Sequence, residues 1–499
     1  CFHNLERSIF CTQGKTMTSH NMLINGSWVP ASDSAVDEIR SPYSSELVGT
    51  VPRATLADVN TAITAAHEGF RVWSRTPAHQ RVAILNAAAA LADQRAPEIA
   101  RIIAAENGKS LIEAQGEAGR SGDIIRLSAF EGSQLYGDTL PLDANRGTGF
   151  DKIGFTIRQP VGVVVAISPF NYPALLVLHK IAPALAAGNS VVLKPARATP
   201  LTALAIAQCF VDAGLPEGVL NVVTGQGGVL GGALVSDSRV RKISFTGSTA
   251  VGEHIAASAG IKKLSLELGA SGPVIVAADA DIEAAATSIA LGGYINAGQV
   301  CISAQRIIVD ESIHDDFVAA LTPKVEAIRV GDPFADGTMV GCLINRGEAD
   351  RVRQALEGAV SSGARLVTGG EQSGAVIAPA IVTNVDPQSS LAQDELFGPA
   401  VAISTSENFG HAIHLANSTA YGLGAGVFTN NTGNSIRAMR EIESGVIHIN
   451  WTQLWRADLM PYGGLKSSGI GKEGPRSAVE EMTEIKTIIM HGTPWETTS

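Results

Sequence analysis

Three groups suited to chemistry at a carbonyl stand in separate stretches of the middle of the sequence. Cys301 follows a Gly-containing break and precedes the strand-like run 306–310, which places its thiol on a loop between regular elements. Loops of this kind commonly hold reactive groups. Asn171 lies in the stretch Ser-Pro-Phe-Asn-Tyr-Pro, and Glu267 lies inside the apolar run Leu-Ser-Leu-Glu-Leu-Gly-Ala. A thiol nucleophile, an amide donor and a carboxylate are the parts that chemistry on a carbonyl requires.

Each of these residues also has a purely structural interpretation. A cysteine in a globular protein is often a buried and unreactive side chain. Asn171 could cap a helix that starts near Ala174, and Glu267 could pair with a cation at the end of a strand. The residues taken singly leave these alternatives open. The presence of all three stretches in one chain favours a catalytic site.

The composition is that of a well-buried globular protein. Of the 499 residues, 45% are hydrophobic and 17% are charged. The formal net charge of −11 argues against nucleic acid or an anionic membrane as a partner. At this length we expect two or three domains. The apolar run 161–167 is far too short to span a bilayer.

Cysteine and histidine usage indicates the compartment and bears on metal binding. The five cysteines form no Cys-x-x-Cys pair, which argues against a disulfide framework and favours a reducing, cytoplasmic setting. His411 and His414 have no cysteine or third histidine near them, so we expect no metal site. The first methionines are Met17 and Met22, and we expect residues 1–21 to be a leader without ordered structure.

Short apolar strands alternate with helices through most of the chain. The predicted strands are 161–167, 190–193, 220–223, 242–245, 273–276, 306–310, 425–429 and 446–450, and the predicted helices between and after them include 174–187, 202–213, 282–294, 314–328 and 351–362. This alternation predicts an α/β fold with parallel sheets covered on both faces. It restarts after Glu267, which indicates a second α/β domain. The cleft between two packed domains is the expected site.

The segments before and beside this alternation have other patterns. An Asn-Gly turn within 22–29 predicts a hairpin. Helical spacing predicts helices over 55–70, 80–94, 96–115 and 117–133, and residues 150–163 read as a polar-edged hairpin. The alternating apolar run 484–490 predicts an exposed strand that could pair with another subunit.

Together the stretches around Asn171, Glu267 and Cys301, in this order and on this pattern, resemble the aldehyde dehydrogenase superfamily from about Leu23 to the C-terminal segment. The resemblance implies that Cys301 adds to an aldehyde, giving a thiohemiacetal and then a thioester. Asn171 and the backbone N–H of Cys301 would hold the oxyanion, and Glu267 would activate water. Relatives that pass the acyl group to coenzyme A typically lack this Glu, so the implied product is a free carboxylic acid.

A nicotinamide cofactor, NAD or NADP, follows from the same resemblance. The turn Phe245-Thr-Gly-Ser-Thr-Ala-Val-Gly follows a strand and opens a helix, where backbone N–H groups attract a pyrophosphate. The resemblance assigns Lys194 to the adenosine ribose, Glu395 to the nicotinamide ribose and Phe397 to a place beside it. The implied cofactor contacts are Ile167, Ser168, Pro169, Phe170, Lys194, Ala196, Arg197, Gly227, Phe245, Thr246, Gly247, Ser248, Val251, Leu268, Gly269, Glu395 and Phe397.

Arg197 departs from the pattern of many NAD-preferring relatives, which carry a Glu three residues after the Lys. A carboxylate there would hold both ribose hydroxyls and repel a 2′-phosphate. Arg197 removes that carboxylate and adds a cation, so we expect NADP to be accepted. The alternative is that Arg197 points to solvent.

The substrate pocket implied by the resemblance contains Arg120, Tyr172, Val300, Trp455 and Arg456, with Trp451 a further candidate. Arg120 and Arg456 look like the anion-holding arginines of lactaldehyde, non-phosphorylating glyceraldehyde-3-phosphate and phosphonoaldehyde dehydrogenase-like relatives. Those relatives often have an Arg directly before the nucleophile, where this chain has Val300. Arg456 could equally pair with Asp458 or Glu473. The predicted substrate is a small anionic or hydroxy aldehyde.

The expected architecture is a Rossmann-like parallel-sheet cofactor domain (22–144 and 164–266), a second α/β catalytic domain (267–480) and a small β oligomerisation element (145–163 and 481–495). In the family, such strands build homodimers and homotetramers. Two rival functions remain. A cysteine thioesterase or esterase would need no nicotinamide, and a structural protein on the same scaffold would need none of the three catalytic groups.

Overall fold

The computed structural model describes residues 19–492. Most of the predicted leader, residues 1–18, and the predicted strand end, 493–495, lie outside that range. Ser19 forms a bridge with Thr50, and the N–H of His20 donates to the carbonyl of Thr50 at 3.0 Å. The fold therefore begins before Met22.

The first sheet has eight strands, and its central five are parallel. In spatial order they are Ser27–Val29, Met22–Ile24, Leu220–Val222, Ser190–Lys194, Val163–Ile167, Val240–Thr246, Lys263–Glu267 and Gly469–Ile470. The central strands are short, apolar and buried on both faces, as parallel strands under helices must be. Its helices are Leu56–Trp73, Ala78–Asn107, Leu111–Ala118, Ser121–Gly132, Leu175–Ala186, Pro200–Asp212, Gly227–Ser236 and Thr249–Ser258.

The second sheet has seven strands with its own apolar core. In spatial order they are Arg365–Thr368, Ala380–Thr383, Ala400–Ser406, Arg306–Asp310, Pro273–Val276, Gly424–Phe428 and Val446–Ile449, all parallel except the first. The helices of this part are Ile282–Gly292, His314–Glu326, Arg346–Ser361, Ser390–Gln393, Phe409–Asn417 and Thr432–Glu441. Two α/β layers are thus present, and the predicted fold class is confirmed.

The chain returns to the first layer before its end. Gly469–Ile470 pairs with the strand Lys263–Glu267, and the helix Pro475–Glu481 follows. Val479 and Met482 pack into the core beneath the first sheet. The last part of the segment predicted as catalytic domain therefore packs with the first sheet.

The predicted hairpin over 150–163 is wrong. Lys152–Pro160 is one long strand that pairs antiparallel with Thr483–His491 in nine residue pairs, and Thr139–Leu140 pairs with its other edge. The alternation within 150–163 reflects a strand in a small sheet of distant segments. Two-stranded ribbons elsewhere are Val36–Arg40 with Leu47–Pro52, Gln372–Ser373 with Val376–Ile377, and Tyr421–Gly422 with Leu465–Lys466.

The predicted helices 80–94 and 96–115 form one helix, which ends earlier than predicted. Ala78–Asn107 is a single helix that continues through Pro97, because apolar residues on both sides of the proline pack into the same core. The helix ends at Gly108, whose φ of 82° is the left-handed conformation that glycine adopts without strain. A Cβ there would meet the Cys342 sulfur at 2.5 Å. None of the helices in the described range is long and apolar enough to cross a membrane.

Candidate active site

Cys301 follows a loop in which three consecutive residues have positive φ angles. Asn296, Ala297 and Gly298 have φ of 51°, 53° and 71°, which is costly for the two residues with a Cβ. The Asn296 N–H donates to Glu113 at 2.8 Å, and the Gln299 side chain accepts from the backbone of Ile344 at 2.9 Å. These bonds from distant segments hold the strained backbone, so the thiol has a fixed position.

The thiol faces the hydroxyl of Tyr462, with 3.1 Å between Sγ and Oη. Burial, together with the carboxylates of Glu395 and Glu267, raises the pKa of Cys301 to about 12, while the Tyr462 hydrogen bond and Arg456 oppose this rise. The thiol is therefore protonated in this state, and its activation depends on groups that stabilise the thiolate.

Asn171 lies beside the nucleophile and does not cap the helix Leu175–Ala186. Its Nδ2 donates to the carbonyl of Gln299 at 2.8 Å, and its Oδ1 accepts from the N–H of Tyr172 at 3.1 Å. The helix start is capped by Glu117, which accepts from the N–H of Ala174 at 2.9 Å and of Leu175 at 3.3 Å. The helix is thus capped by a carboxylate from another helix, and the interpretation that Asn171 caps it is wrong.

The loop that carries Asn171 is fastened by buried polar side chains. Lys109 donates to the Asn171 carbonyl at 2.9 Å, forms an ion pair with Glu117 and lies 3.7 Å from the Tyr172 ring centre. Asn107 donates to the carbonyl of Phe170 at 2.8 Å. Since Lys109 and Glu117 are fully buried, this pair is a rigid support.

Glu267 ends the strand Lys263–Glu267 with its carboxyl group buried. Among the described residues, neither of its oxygens has a hydrogen-bond partner. Burial and the nearby Glu473 hold the pKa of Glu267 well above its usual range, although Lys180 and Arg456 act in the opposite direction. Glu267 therefore does not form the structural ion pair that the sequence left open. A buried carboxyl without partners has the raised basicity that general bases need.

A cavity of about 80 Å³ opens in front of the thiol. Its lining residues are Arg120, Asn171, Tyr172, Leu175, Leu176, His179, Val300, Cys301, Ile302, Leu454, Arg456 and Tyr462. Four of the five predicted substrate residues are among them. Trp455 is not, because it is 57% exposed and packs edge-on against His448, and Trp451 is also exposed.

Two short charge networks form one wall of this cavity. Arg120 pairs with Asp458, with Nε 3.1 Å from Oδ2, and His179 lies 3.5 Å from the same carboxylate. Arg456 pairs with Glu473 at 3.2 Å, which resolves the choice of partner left open by the sequence.

Lys180 also reaches Glu473, at 3.1 Å. Although burial opposes it, Lys180 and Arg456 lower the pKa of Glu473 to about 2. Burial lowers the pKa of His179, so its ring is neutral near pH 7. Lys180 and Arg456 thus share the carboxylate of Glu473, and both also act on the carboxyl group of Glu267.

Sequence reasoning missed Tyr462, His179 and Lys180 as site residues. Tyr462 lies six residues after the predicted pocket residue Arg456, in the stretch Met-Pro-Tyr-Gly-Gly, and its aromatic ring before two glycines was the available signal. His179 and Lys180 lie on a helix that is buried all round, and no local pattern distinguishes them from core residues.

The carboxyl edge of the first sheet gathers the predicted cofactor residues. Ile167 pairs with both Lys194 and Phe245, and Thr246 pairs with Glu267. Ligands of open α/β sheets bind at this edge. Ser168, Pro169 and Phe170 directly follow one strand, and Leu268 and Gly269 follow another.

The turn after Phe245 requires glycine at position 247 and leads into a helix. A Cβ at Gly247 would lie 2.5 Å from the Phe245 ring, so only glycine allows this approach. Ser248 precedes the helix Thr249–Ser258, and its side chain makes no capping bond there. The buried hydroxyl of Ser168 has no partner within residues 19–492. Free donors at a helix start fit the pyrophosphate of a dinucleotide. Val251, on the first turn of that helix, is half exposed.

The two ribose assignments lie on opposite sides of that turn. The Lys194 ammonium donates to the carbonyl of Pro195 at 3.0 Å, and burial lowers its pKa to about 8. Gly227, the first residue of its helix, lies against the Lys194 side chain, and Ala196 is two residues further along the loop. Glu395 accepts from the N–H of Ala270 at 3.0 Å, and burial raises its pKa to about 7.

Phe397 has a φ of 50° and packs edge-on against Phe170 at 5.9 Å. This contact joins the Glu395 loop of the second layer to the loop that carries Asn171. The segment that carries Cys301 contacts both loops, because Asn171 donates to the carbonyl of Gln299 and Gln305 donates to the carbonyl of Gly398 at 3.2 Å.

Arg197 neither points freely to solvent nor stands alone. Its Nη2 lies 3.0 Å from Asp37, a buried carboxylate that also takes Arg53 at 2.7 Å. One carboxylate thus orients two half-exposed guanidinium groups. Within residues 19–492, no three His, Cys, Asp or Glu side chains come together as metal ligands.

Comparison with known proteins identifies the class. A profile of the Aldehyde dehydrogenase family matches residues 28–488. The chain is 42% identical over 472 residues to a 3-sulfolactaldehyde dehydrogenase of Priestia megaterium, covering 95% of this chain and 98% of that protein. It is 39% identical over 473 residues to a lactaldehyde dehydrogenase of Methanocaldococcus jannaschii, covering 94% and 100%.

A solved structure agrees. The NADP-dependent glyceraldehyde-3-phosphate dehydrogenase from Bacillus halodurans C-125, complexed with NADP, superposes with a TM-score of 0.93 at 36% identity, covering 96% of this chain and 100% of that chain. The chain belongs to the aldehyde dehydrogenase family. It is an oxidoreductase that converts an aldehyde to a carboxylic acid with NAD(P)⁺.

Proposed function

We propose that Cys301 is the nucleophile of this oxidation, Asn171 its oxyanion donor and Glu267 the base for hydrolysis. The observation that carries the proposal is the unpartnered, buried carboxyl of Glu267 within electrostatic reach of the Cys301 thiol. A structural carboxylate at that depth would be paired. The thiol and the amide line the same cavity, so an aldehyde can meet both.

In the first half-reaction, the Cys301 thiol gives up its proton to solvent, the thiolate sulfur adds to the aldehyde carbon, and the carbonyl electron pair moves to oxygen. An amide nitrogen has two hydrogens, and Asn171 uses one for the carbonyl of Gln299. The other is available to the oxyanion, together with the backbone N–H of Cys301. When bound, NAD(P)⁺ supplies the acceptor for the hydride that leaves the aldehyde carbon.

In the second half-reaction, Glu267 removes a proton from the water that attacks the thioester. The acyl carbon leaves as a carboxylic acid, and the sulfur of Cys301 is released. The raised pKa of Glu267 makes the ionised form a stronger base, so hydrolysis should accelerate as pH rises through that pKa.

Replacement of the nucleophile tests the assignment. Cys301→Ala should abolish turnover while NAD(P)⁺ still binds. The matched control is Cys209→Ala, which removes another buried thiol from a helix of the first layer. Near-normal turnover in Cys301→Ala, or its loss in Cys209→Ala alone, would contradict the proposal.

We infer that the substrate is a short aldehyde with an anionic group at its far end. Arg120 and Arg456 line the cavity, and within residues 19–492 the buried Nε of Arg456 has no hydrogen-bond partner, so these guanidinium groups can donate to an anionic group. Two relatives are named for anionic aldehydes, the 3-sulfolactaldehyde dehydrogenase and a succinate-semialdehyde dehydrogenase from Arabidopsis thaliana. An uncharged hydroxy aldehyde is the second candidate, since lactaldehyde dehydrogenases are also relatives.

A substrate series decides between these two. We expect kcat/KM to be at least about tenfold higher for 3-sulfolactaldehyde and succinate semialdehyde than for lactaldehyde and butanal. Arg120→Gln should remove that preference and leave the neutral aldehydes unaffected. The control is Arg126→Gln, on the helix that begins directly after Arg120 and paired at the surface with Asp93 and Asp123. Equal loss for all four aldehydes would mean that Arg120 has only a structural role.

We propose that NADP⁺ is accepted along with NAD⁺. Asp37 cannot neutralise both Arg53 and Arg197, so a cation remains beside the predicted adenosine site. It could donate to a 2′-phosphate. For the rest of the cofactor, we propose that Lys194 binds the adenosine ribose and the turn after Phe245 binds the pyrophosphate. Glu395 and Phe397 would lie at the nicotinamide ribose.

We also propose a cytoplasmic homodimer or homotetramer, divided into the domains predicted from the sequence. The strand Thr483–His491 leaves Ile485 and Met490 each 59% exposed on opposite faces of its small sheet. Because this strand pairs with Lys152–Pro160 of its own chain, Ile485→Glu is a cleaner test than removing it. Sedimentation should show a smaller species, and an unchanged assembly would exclude this face as the interface.

A further inference from the structure

Among the described residues, Tyr462 is the side chain that forms a hydrogen bond with the sulfur of Cys301. Its hydroxyl lies 3.1 Å from Sγ, and its side chain is buried. It comes from the loop 450–464, distant in sequence from the nucleophile, so the contact depends on the folded site. Neither the oxyanion nor the hydrolysis step described above uses it.

The surroundings of Tyr462 suit a donor that stays protonated. The guanidinium of Arg456 lies 3.9 Å from the centre of its ring, within the range of a cation–π contact. A cation over a phenol ring withdraws electron density and makes the O–H a stronger donor. Burial holds the pKa of Tyr462 well above its usual range, so the hydroxyl keeps its proton when the thiol ionises.

We propose that Tyr462 is a further catalytic residue, which donates a hydrogen bond to the Cys301 thiolate and is strengthened as a donor by the Arg456 cation over its ring. The proposal rests on the role of Cys301 as nucleophile. Tyr462 neither gains nor loses its proton in this role. It stabilises the anionic sulfur before attack and again when the sulfur leaves the acyl group.

The other charged groups near the sulfur show why a donor matters. Glu267 at the end of its strand and Glu395 in the loop before Ala400–Ser406 disfavour the thiolate, while Arg456 favours it. Lys180, Lys472 and Glu473 act on Glu267 and only indirectly on the thiol. Tyr462 is thus the direct hydrogen-bonding partner that can offset the loss of water around the sulfur.

Alkylation of the thiol measures this effect without turnover. The rate constant for iodoacetamide at Cys301, followed by mass spectrometry of its peptide between pH 7 and 10, is proportional to the thiolate fraction. Tyr462→Phe keeps the ring and the Arg456 contact but removes the donor. We expect a rate about tenfold lower at each pH, which corresponds to a pKa about one unit higher.

The direction of the hydrogen bond decides the outcome. If the thiol instead donates to Tyr462, removing the hydroxyl leaves the alkylation rate unchanged or raises it, and the proposal is overturned. Tyr294→Phe is the control, because it also removes a buried hydroxyl, one that donates to the carbonyl of Ala380 at 2.9 Å. Its alkylation rate should equal that of the wild type.

A second variant covers the case in which Tyr462→Phe does not fold. Site-specific 3-fluorotyrosine at position 462 makes the phenol more acidic with little change in shape, and alkylation should then be faster than in the wild type. Slower or unchanged alkylation would overturn the proposal. If Cys301 were not the nucleophile, Cys301→Ala would keep turnover, whatever the alkylation rates, so the two failures are distinct.

Discussion

Two buried carboxyl groups near the reaction centre differ in what surrounds them. Glu117 accepts two backbone N–H groups at the start of a helix and pairs with Lys109. Glu267 is just as deeply buried, and neither of its oxygens has a partner in the described part of the chain. Burial is therefore common to both, and the number of partners separates the support from the proposed base.

The difference shows how this fold arranges reactivity. Buried groups whose hydrogen bonds and charges are satisfied, such as Lys109 and Glu117, hold the loops in place. Asn171 and Cys301 therefore have fixed positions in one cavity. Buried polar groups without hydrogen-bond partners, such as Glu267, lie where water and substrate must bind. Substitution of a residue from each group tests that division.

Glu267→Gln should lower steady-state turnover by roughly 10²–10⁴-fold, because the water step loses its base. The first turnover precedes hydrolysis, so a burst of NAD(P)H of about one per active site should remain. Stopped-flow absorbance measures both phases. Loss of the burst together with turnover would assign Glu267 an earlier role, such as accepting the thiol proton.

Glu117→Gln should instead destabilise the fold by about 3–5 kcal/mol, because Lys109 would keep a buried charge without its partner. Urea unfolding measures the change. Asp212→Asn, which breaks the partly exposed pair with Arg95, is the control and should cost less than about 1 kcal/mol. If Glu117→Gln left stability unchanged while abolishing turnover, the division between support and base would be wrong.

Asn171→Ala should reduce kcat by about 10²–10³-fold through loss of an oxyanion donor, with a much smaller effect on stability. Single-turnover kinetics with a saturating aldehyde isolates the step. A reduced burst rate is expected here, in contrast to Glu267→Gln. An unreduced burst would remove Asn171 from the first half-reaction.

Arg197→Glu should shift the ratio of kcat/KM values toward NAD⁺ by at least about tenfold, mainly by weakening NADP⁺. The side chain is about half exposed, so its bond to a phosphate is screened and the effect is the smallest of the four. Steady-state kinetics with both cofactors provides the ratio. A ratio that does not change would place Arg197 away from the ribose.

Much of the fold could be predicted from local sequence patterns. The strands Pro273–Val276 and Arg306–Asp310 have their predicted bounds, because apolar runs between turn residues define a buried parallel strand. The long strand Lys152–Pro160 could not be predicted in the same way, since its partner is more than 300 residues away. The prediction of two helices separated near Pro97 was wrong for a related reason. Tertiary packing keeps the helix continuous although a proline usually ends one.

The site divides similarly. Cys301, Asn171 and Glu267 stand in recognisable stretches, so the sequence could nominate them. That Glu117 caps the helix at Ala174, that Asp37 binds both Arg197 and Arg53, and that Tyr462 reaches the thiol depend on contacts between distant segments. No spacing within one stretch reveals such contacts.

The most direct test of the account is the mass of Glu267→Gln trapped during turnover. After mixing with succinate semialdehyde and NAD(P)⁺ and quenching in acid, the protein should carry one acyl group, which peptide analysis should locate on Cys301. The adduct should be absent without NAD(P)⁺. An unmodified Cys301 peptide at the end of a full burst, or an acyl group on another residue, would contradict the claim that Cys301 carries the substrate through a thioester.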